Sequence, residues 1–231
     1  MAECFDHNTT YFWREGRVNL NDCLRISFEA AAKHAVRTIV IFTAVGEGVK
    51  AAHRDFISQD QFSHIKLVAV TFAHGHPHPQ DLSPQDADWM KEQNIPLIRA
   101  HLPFDPIRAQ YKAHGILGQD FGLLGNVLSI FGGSMSLAVQ AVLMACDAGV
   151  VRKGEHVISL TSDTSILVRS APTSDLLTDF LVREIFCKAV MFDISKNEGR
   201  ITAESATSPK VVKGEVQAID TGTPKMIEGA K

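Results

Sequence analysis

Apolar and polar positions alternate between two periods along this chain. Thr38–Thr43 and Ile65–Phe72 are continuous β-branched and apolar runs, the pattern of strands buried on both faces. Between them, Ala44-Val-Gly-Glu-Gly48 reads as a glycine-bearing turn that opens a helix. Upstream, Thr9–Trp13 predicts a short strand. A helix capped by Asn19 or Asn21 then runs to about His34, with Leu20, Leu24, Phe28 and Ala31–Ala32 on one face. Downstream, Ser83-Pro84 supplies an N-cap and a proline at the first helical position, while Ile95–His101 and Glu155–Leu160 read as further strands. In Arg183–Phe192, the positions Ile185, Cys187, Ala189 and Met191 alternate with Glu184, Phe186, Lys188 and Val190, which suits a sheet edge. Strands that alternate with helices predict a three-layer α/β sandwich: a mainly parallel sheet with an antiparallel edge strand.

The run Phe121–Cys146 carries no charged side chain over about 26 residues, long enough to span a bilayer. It holds Asn126, Gln140, three serines and the Gly132-Gly133 pair, and neither flanking Lys/Arg clusters nor aromatic belts. That favours two buried helices hinged near Gly132-Gly133. Beyond Ser195 the chain turns to Lys, Glu, Thr, Ser and Gly, with a weak strand-like stretch at Val211–Ile219. The expected division is therefore an α/β domain over residues 1–194 and a polar appendage over 195–231.

Composition narrows the partners. Of 231 residues, 45% are hydrophobic and 21% charged, so a core is expected; a net charge of −3 gives no basic surplus for nucleic acid or an acidic membrane surface. Cys4, Cys23, Cys146 and Cys187 lie far apart without a CxxC pair, and the N-terminus lacks a basic segment followed by an apolar one. Reduced thiols and a cytoplasmic location are the expectation.

Candidate chemistry gathers where strands end. Between a buried strand and a helix, Thr43, Gly46 and Gly48 offer a hydroxyl, open backbone and unpaired N–H groups, a setting for phosphate; the same glycines serve equally to turn the chain. Glu47 repels phosphate unless it points away, and then suits a ribose or ribityl hydroxyl or a metal. After the strand ending at Leu160, Thr161, Ser162, Asp163 and Thr164 concentrate hydroxyl and carboxylate groups at the carboxyl end of a parallel strand; a polar turn bonded to its own backbone reads identically. His74, His76 and His78 project on one side of an extended chain, a transition-metal clamp or, between Pro77 and Pro79, a stiff loop beside the crevice. His101 stands at another strand end. No GxSxG, HExxH, Walker A or Cys-His arrangement is present, and Asp22, Glu29, Asp86 and Asp88 read as solvated helix faces or caps.

The order of these motifs resembles the C-terminal α/β domain of pyruvate kinase, and more closely its stand-alone relatives. The likeness covers roughly residues 9–192. It rests on Tyr11-Phe12, Ile39–Gly48, Val68-Ala-Val-Thr71 with Gly75, Leu143–Gly149, and Asp163-Thr164 before Ile166-Leu-Val. The resemblance implies binding of a phosphorylated small molecule, a sugar phosphate or flavin mononucleotide (FMN), at strand-end loops, with Thr71 and Gly75 in the motif that carries it; His74 and His101 are candidates for the same crevice by position alone, and a lone His101 near Pro103 also reads as structural. The role it implies is regulatory or carrier. Relatives usually carry a longer glycine-rich segment where this chain has Thr161–Thr164 without glycine. An alternative from another class is an enzyme acting on a phosphorylated or flavin-linked substrate with His74 or His101 as general acid/base. A third is an interaction domain that forms a homo-oligomer through the apolar Leu123–Val150 surface.

Overall fold

A computed structural model of the protein describes residues 7–76, 78, 80–104 and 122–190. Within them seven strands form one sheet: β1 (Thr10–Phe12), β2 (Thr38–Phe42), β3 (Lys66–Phe72), β4 (Leu97–Ala100), β5 (His156–Leu160), β6 (Ser165–Arg169) and β7 (Leu181–Ala189). Their order is β1-β7-β6-β5-β2-β3-β4. All neighbours are parallel except at β5–β6 and β6–β7, so β6 alone runs against the rest.

The mainly parallel α/β sheet agrees with the sequence pattern, and two expectations are corrected. The antiparallel strand is interior, because Thr161–Thr164 closes a tight turn in which the Thr161 N–H donates to the Thr164 carbonyl at 2.9 Å. So short a connection joins only antiparallel strands, and it folds β6 back onto β5. The half-polar strand expected at an edge is β7, which is covered on both sides by β6 and β1; the edges are β1 and β4. Two of its polar side chains, Glu184 and Lys188, have neighbours within the protein. The two oxygens of Glu184 lie 3.4 Å and 3.5 Å from Nδ1 of His7 and His34, and Lys188 donates to the Phe131 carbonyl.

Helices cover both faces. They are α1 (Leu20–Lys33), α2 (Glu47–Ala52, continued by a π-helical turn His53–Ile57), α3 (Pro84–Glu92), α4 (Gly122–Ser129) and α5 (Met135–Asp147). Successive side chains of a strand point to opposite faces. Accordingly Ile39 and Ile41 join Leu24, Phe28 and Met90 in one core, while Val40 and Phe42 join Val139 and Leu143 in the other. Ser83 caps α3 by accepting from the Asp86 N–H at 3.1 Å, as its sequence position predicts. Asn19 precedes α1 but spends its side-chain amide on the Arg14 carbonyl at 2.6 Å, so it does not cap.

The uncharged run becomes α4 and α5, joined through Gly132 and Gly133 at φ +76° and +58°. Among the described residues no helix is long and apolar enough to cross a membrane. The 195–231 appendage, with Val211–Ile219, lies outside the described residues, as do Cys4, Phe121, Met191 and Phe192.

Phe28 is the keystone of the α1 side. It is fully buried, stacks on Phe56 at 4.5 Å between ring centroids and meets Phe62 edge-on at 5.3 Å. Phe28→Ala is expected to destabilise the fold by about 3–5 kcal/mol, the cost of a large core deletion with its cavity. Urea denaturation read by circular dichroism measures it, and an unchanged midpoint would contradict this packing.

Candidate functional site

The chain passes from β2 to β3 and β4 on one side of the sheet and later returns to β5 on the other side of β2. The direction of winding therefore switches between β2 and β5, and a crevice for ligands is expected at the carboxyl ends of these strands. Two predicted loops meet there: Thr43–Gly48 and Thr161–Thr164.

In the first loop the turn is bonded to itself. The Gly46 N–H donates to Thr43 Oγ1 at 2.9 Å, and Gly46 is left-handed at φ +82°. A Cβ on Gly46 would stand 2.9 Å from Leu82 Cδ1 and 3.2 Å from Met90 Cε, so this glycine lets the turn pack against the entry to α3. Gly48 lies inside α2, where a Cβ would meet Ile41 at 3.4 Å and Leu20 at 3.5 Å; it permits close helix–strand contact. Thr43, Gly46 and Gly48 are buried, whereas Glu47 is half-buried and reaches Arg17 at 2.5 Å.

The second loop turns inward around one carboxylate. Asp163 is 1% exposed. Its Oδ2 accepts from the Gly16 N–H at 2.6 Å; its Oδ1 accepts from the Ser134 N–H at 3.2 Å, from Thr164 Oγ1 at 3.0 Å and from Thr161 Oγ1 at 3.3 Å. Ser134 is the N-cap position of α5, so the carboxylate also sits at the positive end of that helix. Thr161, Asp163 and Thr164 are buried in this network, and Ser162 is half-buried. Two glycines make room for it. A Cβ on Gly133 would lie 2.5 Å from Thr164 Oγ1, and one on Gly132 would lie 2.7 Å from the Ala189 carbonyl oxygen.

The histidine loop is arranged by stacking. The rings of His76 and His78 lie 4.2 Å and 4.9 Å from Phe72, at 14° and 21° to its plane. His74 is exposed with Nδ1 3.9 Å from Asp81, whose carboxyl is held below the usual carboxylate range by its hydrogen bond from Arg99. Among the described residues no group of His, Cys, Asp and Glu is placed to hold a metal ion. Gly75 and His101 are exposed, whereas Thr71 is fully buried with its hydroxyl lacking a hydrogen-bond partner. The predicted residues thus share one end of the sheet, but most of the hydroxyl and glycine positions are engaged within the protein.

Beside the Gly46 turn lies a groove of about 480 Å³ lined by Arg17, Asn21, Val45, Glu47, Lys50 and Arg54. Of these only Glu47 was anticipated from the sequence. Arg17 enters from the loop after β1, which the Gly16–Asp163 bond anchors. Lys50 and Arg54 stand one turn apart, Lys50 paired with Asp86 and Arg54 with Asp55. Their spacing of four after a glycine turn was the available signal, whereas nothing local marks Arg17 as their neighbour. The lining holds three cations against one carboxylate, with an amide and small apolar side chains between them.

No family model matches the chain. Among solved structures, the chain is similar to pyruvate kinase from Cryptosporidium parvum at 11% identity, with a TM-score of 0.33 over 68% of this chain and 24% of that one. The same enzyme in complex with ADP matches at 10% identity and a TM-score of 0.31, over 73% of this chain and 23% of that chain. The chain spans about a quarter of the length of these enzyme structures.

Asp163→Ala would leave the Gly16 N–H and the hydroxyls of Thr161 and Thr164 without their acceptor, while the Ser134 N–H keeps Thr164 Oγ1 at 2.9 Å. It is expected to cost about 3–5 kcal/mol, and Asp163→Asn, which turns one acceptor into a donor facing an N–H, about 2–3 kcal/mol. Guanidinium unfolding of the three proteins gives both values. A loss below 1 kcal/mol for the alanine variant would remove Asp163 from its structural role.

Proposed function

We propose that the protein binds a phosphorylated small molecule, of the sugar phosphate or FMN class, in the groove at the end of β2, and serves as a sensor or carrier of it. The observation that carries this reading is the convergence of Arg17, Lys50 and Arg54 on one groove of about 480 Å³ beside the Gly46 turn. Arg17 and Arg54 keep 79% and 72% of their side-chain surface exposed, so both are free to re-aim from Glu47 and Asp55 onto an incoming anion. A guanidinium offers paired donors that match phosphate oxygens, and Lys50 adds a point charge. Glu47, released from Arg17, and Asn21 supply an acceptor and an amide for sugar hydroxyls. Val45 and Ala51 give a flavin ring little to stack on, which favours the sugar phosphate within the class.

A second reading keeps the same ligand class and adds chemistry. His74 and His101 are exposed beyond the neighbouring ends of β3 and β4, where an imidazole could exchange protons with a bound substrate.

Binding to the native state alone raises stability by mass action, about 2.7 kcal/mol at a hundredfold excess over Kd, which for a chain of this size is a rise of about 5–10 °C in melting temperature. Thermal shift against sugar phosphates and FMN tests this. Arg17→Ala and Arg54→Ala are each expected to weaken binding about tenfold, and added salt to weaken it further. A panel that leaves the wild-type melting temperature unchanged sinks the proposal for those ligands. Conversion of the ligand, lost in His74→Ala or His101→Ala with binding intact, would favour the enzyme reading.

A further inference from the structure

We propose that Cys23 and Cys187 form a redox-convertible pair, whose oxidation to a disulfide staples α1 to β7 and withdraws a thiol hydrogen bond from the crevice loop. The two residues are 164 positions apart in sequence, yet their Sγ atoms are 3.5 Å from one another and both side chains are fully buried. The thiols form a chain. Cys187 donates to Cys23 Sγ, and Cys23 donates to the Thr161 carbonyl at 3.4 Å, in the turn built around Asp163.

The backbones on either side are pinned at this level. Cys187 lies in register with Thr10 of β1 and Ser165 of β6. The Ser27 hydroxyl, one turn along α1, bridges the Cys23 carbonyl and Ser165 Oγ at 2.6 Å each. A disulfide sulfur–sulfur bond is about 2.05 Å, so the two sulfurs have about 1.5 Å to close. The half-buried Cys146 belongs to α5, which packs on the opposite face of the sheet.

The closed fold protects the pair. The proton that Cys23 shares with the Cys187 sulfur, together with burial, holds the Cys23 thiol well above the ordinary thiol range, so its thiolate is scarce until α1 lifts from the sheet. In such an opened state one thiolate attacks a small disulfide such as glutathione disulfide and expels a glutathione thiolate. The second cysteine then attacks the mixed disulfide and expels the other glutathione. Two thiols and one glutathione disulfide become one protein disulfide and two glutathione thiols, with two electrons and two protons passing to the oxidant. Once formed, the link closes a 164-residue separation, and Cys23 has no proton left to donate to Thr161.

The test incubates the full chain with glutathione disulfide, with and without sub-denaturing urea. Intact mass and a non-reducing peptide map then report the linkage. A loss of two hydrogens, a Cys23–Cys187 peptide, acceleration by urea and a rise in melting temperature of about 5–10 °C that dithiothreitol reverses are expected. Cys146→Ala should behave as wild type and Cys187→Ala should lose the linkage. Faster amide exchange over residues 162–166 in the oxidised protein would report the released Thr161 carbonyl. The proposal fails if the map shows only glutathione adducts or a link through Cys146, or if the linked protein melts below the reduced one. Because the oxidised and reduced wild type are compared directly, the test stands even where Cys187→Ala does not fold.

Discussion

The buried carboxylate of Asp163 is the constraint on which this end of the molecule depends. It receives an N–H from the loop after β1, an N–H from the start of α5 and two hydroxyls from its own turn. A carboxylate taken out of water is costly unless such donors meet it, and here they come from three separate stretches of chain. The one group therefore ties the β5–β6 hairpin, the α4–α5 junction and the β1–α1 loop into a single arrangement. It also explains the glycines at 132 and 133, since side chains there would collide with Thr164 and the end of β7.

This knot redistributes the chemistry of the crevice. Asp163 supplies from within the protein the negative charge that a helix N-terminus attracts, and the hydroxyls of Thr161 and Thr164 are directed to it. Cationic side chains lie one step away, around the Gly46 turn, each paired with a carboxylate, and Arg17 among them is carried by the loop that Gly16 anchors to Asp163. The proposed phosphate groove and the structural knot are thus neighbours that share a segment. Loss of the knot would disturb the groove, whereas loss of the groove's arginines should leave the knot intact.

Much of the architecture was legible because burial on both faces writes itself as unbroken apolar runs, as in Thr38–Phe42 and Leu67–Phe72. The 3.6-residue spacing of Leu20, Leu24, Phe28 and Ala31 was equally plain. The strand β6 was not anticipated as an element, since five residues after a polar turn carry too little period to separate from the turn itself. The interior place of β7 was hidden because Glu184 and Lys188 look like solvent-facing residues until His7, His34 and Phe131 supply their partners. Residue type placed both loops after strands, where the structure has them, but did not give the direction of their side chains. Thr161–Thr164 would read the same whether it faced a ligand or folded around Asp163, and Gly48 the same whether it met phosphate or Ile41. The cationic groove was invisible for a different reason: Arg17 and Arg54 come from separate elements and meet only in the folded chain.

The proposed site requires anionic ligands to meet the Arg17, Lys50 and Arg54 groove while the Asp163 knot stays closed. Amide chemical-shift mapping by NMR, with a sugar phosphate titrated into the isotopically labelled chain, tests this residue by residue. Saturable shifts are expected at Arg17, Asn21 and Glu47–Arg54, with Asp163 and Thr164 unmoved. Shifts confined to Thr161–Thr164, or to His74 and His101, would contradict the proposed site.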